Sequence, residues 1–174
     1  AVKAAPVLLC RRRLLRRPMA RAIIVNSGNA NACTGSEGSR NCERMASLTA
    51  NALNLHKNDV LVCSTGTIGI PLPMPAIERA IPKAAKALSN SGGHDAARAI
   101  MTTDTKPKQI ALRFRAANAE ITIGAMAKGA GMIAPNMATM LVFITTDAAV
   151  PPKALQSALV GAVNALRDKG IVTA

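Results

Sequence analysis

Thr139 lies in the segment Lys128-Gly129-Ala130-Gly131-Met132-Ile133-Ala134-Pro135-Asn136-Met137-Ala138-Thr139-Met140-Leu141, which concentrates features that could serve acyl chemistry. Gly129 and Gly131 allow positive φ or close backbone approach. Pro135 holds the residue before it in an extended form. The small residue Ala138 then precedes Thr139 at the mouth of an apolar run. By residue type alone the plainer reading is favoured, an ordinary threonine at a strand start. A threonine hydroxyl is a poor nucleophile without a base, and no nearby histidine can be assigned to this one. Self-cleavage offers another route, through attack of the hydroxyl on the Ala138 carbonyl. Thr139 would then be N-terminal. Its own α-amine, with a reference pKa of about 7.7–8.0, could take the hydroxyl proton near neutral pH.

Acyl transfer also needs donors aimed at a developing oxyanion. The segment Cys63-Ser64-Thr65-Gly66-Thr67-Ile68-Gly69 could supply a backbone N–H and a threonine hydroxyl. A plain glycine turn is the alternative. The order of a phosphate-binding P-loop is missing. Asn26–Gly35 is dense in amides, which could bind a polar ligand or satisfy loop backbone; the structural role is preferred. Met101-Thr102-Thr103-Asp104-Thr105 offers three hydroxyls and a carboxylate, or simply an exit turn. Lys128 could attract a substrate carboxylate as a point charge, although most lysines are merely solvated.

These segments need a scaffold, and the patterning supplies one. Ala22–Asn26 and Val60–Ser64 read as buried strands. Ile110–Arg115 and Glu120–Ala127 read as a hairpin or neighbouring pair joined through Ala116–Ala119. Thr139–Thr145 is a further apolar strand. Arg40–Leu55 reads as a helix with Met45, Leu48, Ala52 and Leu55 on one face. Pro75–Leu88 is helical in pattern, with Pro82 expected to kink it or end its first part. His94–Met101 reads as a short helix with Ala97 and Met101 on one side. A last helix starts at Pro151 and Pro152 and ends at Gly170, with Leu155, Leu159, Ala162, Val163 and Leu166 as its apolar stripe. Three loops rich in Gly, Asn, Ser and Thr, at Asn26–Gly38, Ser64–Gly69 and Lys128–Thr139, each follow an expected strand. Loops on rigid scaffolds are favoured places for sites.

Composition narrows the function classes. The 174 residues suit a single domain, and 49% hydrophobic content is ample for a core. No apolar run reaches membrane-spanning length, and the charges of Arg11–Arg17 follow the first apolar run instead of preceding it as in a signal peptide. The expectation is a cytoplasmic protein with no membrane association. The first residue is Ala rather than Met, which suggests a processed or incomplete chain. Net charge is +13, from 22 basic and 9 acidic residues. A basic nucleic-acid-binding module would account for that charge, but the chain holds two Phe, no Trp and no Tyr for base stacking. No nucleic-acid partner is therefore expected. The cluster Arg11–Arg17 reads as a solvated turn, or as cations whose acidic partners lie outside this sequence. Cys10, Cys33, Cys42 and Cys63 form no C-x-x-C pair, and only His56 and His94 could join them, so no metal site is expected. Cys42 and Cys63 read as small buried hydrophobes.

Taken together the segments resemble the ornithine acetyltransferase family, the arginine-biosynthesis bifunctional proteins. The matching stretches run in family order: Ala4–Val7, Asn26–Gly35, Ser64–Pro73, Met101–Thr105 and Lys128–Leu141. The resemblance extends to about Arg167. It implies a mixed α/β fold, an αββα sandwich similar to that of the aminopeptidase DmpA, here incomplete. It implies acetyl transfer from N-acetylornithine to glutamate through an acetyl-threonine, with no cofactor and with acetyl-CoA as a possible alternative donor. Carried onto this sequence, Thr139 is the nucleophile freed by a cut after Ala138, and Thr65 and Gly66 form the oxyanion hole. Lys128 and Thr102 contact substrate, with Thr103 a one-residue alternative to Thr102. Residues 1–138 would be the α-chain part and 139–174 the start of the β chain. The αβ halves would assemble as a heterotetramer.

The 36 residues after the cut are too few for the second sheet and the pocket, so little or no activity is expected of this stretch alone. The tail Asp168–Ala174 departs from the family pattern, which keeps an inactive remnant open. An amidase or aminopeptidase of the same architecture is the nearest enzymatic alternative, with water replacing glutamate.

Overall fold

A computed structural model of the chain describes residues 3–116, 118–129 and 140–168. They fall into two compact units, Ala1–Thr102 and Thr103–Ala174, a division inside the stretch expected as one domain. The class is mixed helix and strand, as expected, and the sheets among the described residues are small: two strands in the first unit and three in the second.

The first unit is built on a parallel pair, β1 (Ala22–Asn29) and β2 (Val60–Thr67). A parallel pair needs a crossover, and helix α2 (Gly35–Leu53) provides it. Its buried face is Cys42, Met45, Ala46, Thr49 and Ala50, a spacing of three, one, three and one. Leu48, expected on that face, is only partly buried and Ala52 is exposed, because the buried stripe runs through Cys42, Met45, Ala46, Thr49 and Ala50 and leaves both beside it. Asn54 ends α2 in the left-handed conformation at φ 53°, where asparagine is tolerated, and Leu55 N–H bonds back to the Ala50 carbonyl at 2.8 Å. Leu9, Leu72, Val60 and Val62 complete the core around Met45.

Helix α1 (Ala5–Arg16) was not expected, and it corrects the reading of the arginine cluster. Pro6 suits its first turn. The acidic partners lie within this chain. Arg12 and Arg13 pair with Glu43 of α2 at 2.5 and 2.7 Å, and Arg17 pairs with Asp59 at 3.3 Å. Arg13 is only 6% exposed and also donates to the Val60 carbonyl, so it ties α1 to both α2 and β2. Arg13→Ala is expected to cost about 2–3 kcal/mol, because a charge-assisted bond is lost and a buried carbonyl is stranded. Arg12→Ala, at an exposed pair, should cost less than about 1 kcal/mol. Equal shifts of the two variants in urea unfolding would contradict this assignment.

Helix α3 (Met74–Lys86) runs through Pro82 without ending there. Pro82 is exposed while Ile81 is the buried contact, so the backbone acceptor it leaves unmatched lies on the solvent side. Arg44 of α2 and Glu78 of α3 form an exposed pair at 2.9 Å. Helix α4 (Gly93–Ala99) stops before Met101, and Ile100 rather than Met101 joins Ala97 in burial.

The second unit is an antiparallel sheet in the order β3 (Lys108–Ala116), β4 (Ala119–Lys128), β5 (Leu141–Thr146). The hairpin pairs Lys108 with Ala127 through to Ala116 with Ala119, and β5 pairs Leu141 with Lys128 through to Thr146 with Ile123. Alternation puts Ile110, Leu112, Phe114, Val142 and Ile144 on one face, and all five are exposed. Helix α5 (Pro152–Asp168) carries the expected stripe, and Leu155, Leu159, Val163 and Leu166 are likewise exposed. Gly170, expected to end it, lies outside the described residues. No helix among the described residues is long and apolar enough to cross a membrane.

Candidate active site

Of the segment Ser64–Gly69, expected as a loop after the second strand, Ser64 to Thr67 are themselves strand. Ser64 to Thr67 stay in register with Asn26 to Asn29, and Gly28 faces Gly66 across the pair. The reason is steric. Gly66 has φ 130°, and a Cβ there would lie 2.2 Å from the carbonyl carbon and oxygen of Gly28. Only glycine permits that approach. Gly28 has φ 114°, also outside the range most side chains adopt. The two glycines let the ladder continue through polar sequence. Thr65 is therefore held in a strand, and is 3% exposed.

Beside it, Asn26 and Ser64 face each other in the pairing. Asn26 Nδ2 donates to the Asn29 carbonyl at 3.0 Å, but Asn26 Oδ1 and Ser64 Oγ are buried and find no partner among the described residues. The rest of the amide-rich stretch serves the backbone, as preferred from the sequence. Asn31 is fully buried in the left-handed conformation, donates to the Gly38 carbonyl at 3.0 Å, and accepts from Thr34 Oγ1 at 2.7 Å. It fastens the exit of β1 to the first turns of α2.

Cys10, Cys42 and Cys63 do not compete for the role of nucleophile near neutral pH. Burial pushes the Cys42 thiol up to about 12 and the Cys63 thiol up to about 11, and it raises Cys10 as well. The thiolate is the reactive form, so these groups stay inert. Among the described residues no group of three or more His, Cys, Asp or Glu side chains could hold a metal ion.

In the second unit Lys128 is the last residue of β4 and is only 3% exposed. The solvated lysine that residue type suggests is thus corrected: a lysine is seldom buried without an interacting group. The next residue, Gly129, is held from both sides. Its N–H donates to Asp104 Oδ1 at 3.0 Å, and its carbonyl accepts from Lys108 Nζ at 3.1 Å. Asp104 and Lys108 also pair with each other.

Thr65, Gly66 and Thr102 thus fall in the first unit, and Thr103 and Lys128 in the second. Thr102 and Thr103 are exposed. Ala138 and Thr139 lie outside the described residues. Sequence reasoning passed over Asp104 as part of an exit turn, although a carboxylate within a run of hydroxyls was a signal for a polar anchor.

The model of the ArgJ family matches residues 1–166. The chain belongs to the ArgJ family. An ArgJ bifunctional protein of Symbiobacterium thermophilum is 58% identical over 158 residues, which are 91% of this chain and 39% of that protein. One from Caldanaerobacter subterraneus is 51% identical over 163 residues, 94% of this chain and 40% of that protein. The chain therefore spans about 40% of the length of the curated ArgJ relatives it matches. Two solved ArgJ-type structures are also similar. The protein of Bacillus halodurans superposes with a TM-score of 0.70 at 36% identity. The ornithine acetyltransferase of Mycobacterium tuberculosis, solved with ornithine, gives 0.69 at 41% identity. Each comparison covers 80% of this chain and 72% of the solved chain.

Proposed function

We propose that this chain is part of an arginine-biosynthesis acetyltransferase that moves an acetyl group from N-acetylornithine to glutamate. The family match over residues 1–166 carries the reading, because every residue invoked lies inside it. Cleavage after Ala138 frees Thr139 and leaves residues 1–138 and 139–174 as parts of an α and a β chain. One further observation favours a cut. A match over 80% of this chain fills 72% of each solved chain, whereas a match over 91–94% of it fills only 39–40% of the curated relatives, so the solved chains are much the shorter, as halves of a cleaved precursor would be.

The hydroxyl of Thr139 attacks the acetyl carbonyl of N-acetylornithine, and its proton passes to the Thr139 α-amine. Thr65 and Gly66 stabilise the oxyanion, a contribution of roughly 3–4 kcal/mol for one such donor. The α-amine returns the proton to ornithine as the C–N bond breaks. Glutamate's amine then attacks the acetyl-Thr139 ester, releasing N-acetylglutamate and restoring the hydroxyl. Lys128 and Thr102, with Thr103 as the alternative, hold the substrate. A buried lysine suits this role, since its charge attracts a substrate carboxylate more strongly away from water. The reading includes a cytoplasmic enzyme, paired αβ units forming a heterotetramer, no resident cofactor, and acetyl-CoA as a second donor.

The test is steady-state kinetics on the full-length protein that carries these residues. Parallel double-reciprocal lines are expected when N-acetylornithine and glutamate are varied, with ornithine release dependent on glutamate. Ornithine release independent of glutamate would favour an amidase instead. The 174 residues alone are expected to turn over little or not at all, and normal turnover would refute that part.

A further inference from the structure

We infer that Asp104 and Lys108 are positioning residues that fix the Lys128–Gly129 corner for substrate binding and for the cut after Ala138, an inference that rests on the function proposed above. The last pair in the β4–β5 ladder is Lys128 with Leu141, so Gly129 stands one residue beyond it. A glycine there has the widest conformational freedom of any residue. It is nevertheless held at both of its polar groups, by the Asp104 carboxylate on the N–H and the Lys108 ammonium on the carbonyl.

Both holding groups come from the approach to β3 and its first residue, and β3 pairs with β4 from Lys108 opposite Ala127. The restraint is thus anchored in the sheet itself. The Asp104 side chain is fully buried while that of Lys108 is half exposed. A carboxylate is seldom buried unless it is paired, and here it meets both a cation and a backbone donor. This exceeds what an exit turn needs, since the bonds reach 25 residues along the chain from Asp104 to Gly129. The Asp104 bond acts on the peptide group that joins Lys128 to Gly129, and the Lys108 bond acts on the one after it. Met140 lies against Gly129 as well, so the same corner adjoins both ends of residues 130–139 in sequence.

The test uses the full-length protein and three variants: Asp104→Ala, Asp104→Asn and Lys108→Met. Three readouts are taken: site-resolved hydrogen exchange at the Gly129 amide, the rate of the cut after Ala138, and KM against kcat for N-acetylornithine. Asp104→Ala is expected to speed Gly129 exchange, slow the cut and raise KM, each by about 10- to 100-fold, the scale on which small misplacements act. Asp104→Asn keeps an oxygen to accept from Gly129 N–H and should recover part of each loss. Lys108→Met, at a half-exposed site that tolerates change, should raise KM about threefold to tenfold with a smaller effect on kcat. A purely structural role would lower thermal stability without moving KM. Wild-type KM and cutting rate in Lys108→Met and in any folded Asp104 variant would overturn the inference. If the unmutated protein neither cuts nor transfers acetyl, the proposed function falls and the positioning role falls with it, while Gly129 exchange still reports whether the restraint exists.

Discussion

Gly66→Ala is expected to remove most of the stability of the first unit, at a cost of about 3–5 kcal/mol. Two effects add. At φ 130° the backbone is in a region that an alanine occupies only under strain. The new Cβ would also sit 2.2 Å from Gly28 C and O and 2.7 Å from Asn29 N. Those are backbone atoms of a paired strand, so they cannot rotate aside as a side chain would. Relief requires β1 and β2 to separate at the positions that hold Thr65. Gly28→Ala separates the two effects. Its φ of 114° imposes strain, but nothing lies within 4 Å of its Cβ position, so about 1–3 kcal/mol is expected. Urea unfolding of both variants decides the matter. A Gly66→Ala loss no larger than that of Gly28→Ala would mean that the strands do not meet as described. Acetyl transfer should fall further than stability explains, because the Gly66 N–H is one of the proposed oxyanion donors.

That glycine pair also marks where the sequence stopped being legible. The apolar starts of β1 and β2 were readable as strands, but their polar ends, Asn26 to Asn29 and Ser64 to Thr67, resemble loop. Strand continuation there depends on which residue stands opposite which, and a single segment holds no record of its partner. The β3–β4 hairpin was legible because alternation of Ile110, Leu112 and Phe114 with Arg113 and Arg115 is a local signal. Helix α1 was not, because Arg13 within it and Arg17 just after it find Glu43 and Asp59 some 30 to 42 residues away. The burial of Lys128 and the bonds of Asp104 to Gly129 were hidden for the same reason. The candidate site was assembled from the family resemblance and not from spacing, since its residues are spread over two units and no local pattern joins them.

Thr139→Ala in the full-length protein is expected to abolish the cut after Ala138 and to lower acetyl transfer by about 10⁴-fold or more, the scale seen when a covalent nucleophile is removed. Intact mass reads the first effect and N-acetylglutamate formation the second. The two losses have one cause but need not be equal. The hydroxyl makes the cut, while transfer needs the hydroxyl together with the amine that the cut creates. Thr139→Ser tests this coupling, because serine keeps both groups and should retain cutting and transfer at reduced rates. The pH dependence supplies an independent check. An α-amine acting as base must be neutral, and its reference pKa is about 7.7–8.0. The kcat/KM of the cut enzyme should therefore fall tenfold per unit as pH drops below that range. The cutting step occurs before the amine exists, so it should not follow that profile. The described cysteines whose thiols burial raises cannot substitute as nucleophiles near neutral pH. An uncut protein with full activity would remove the Thr139 α-amine from the mechanism, and the hydroxyl would then need another base.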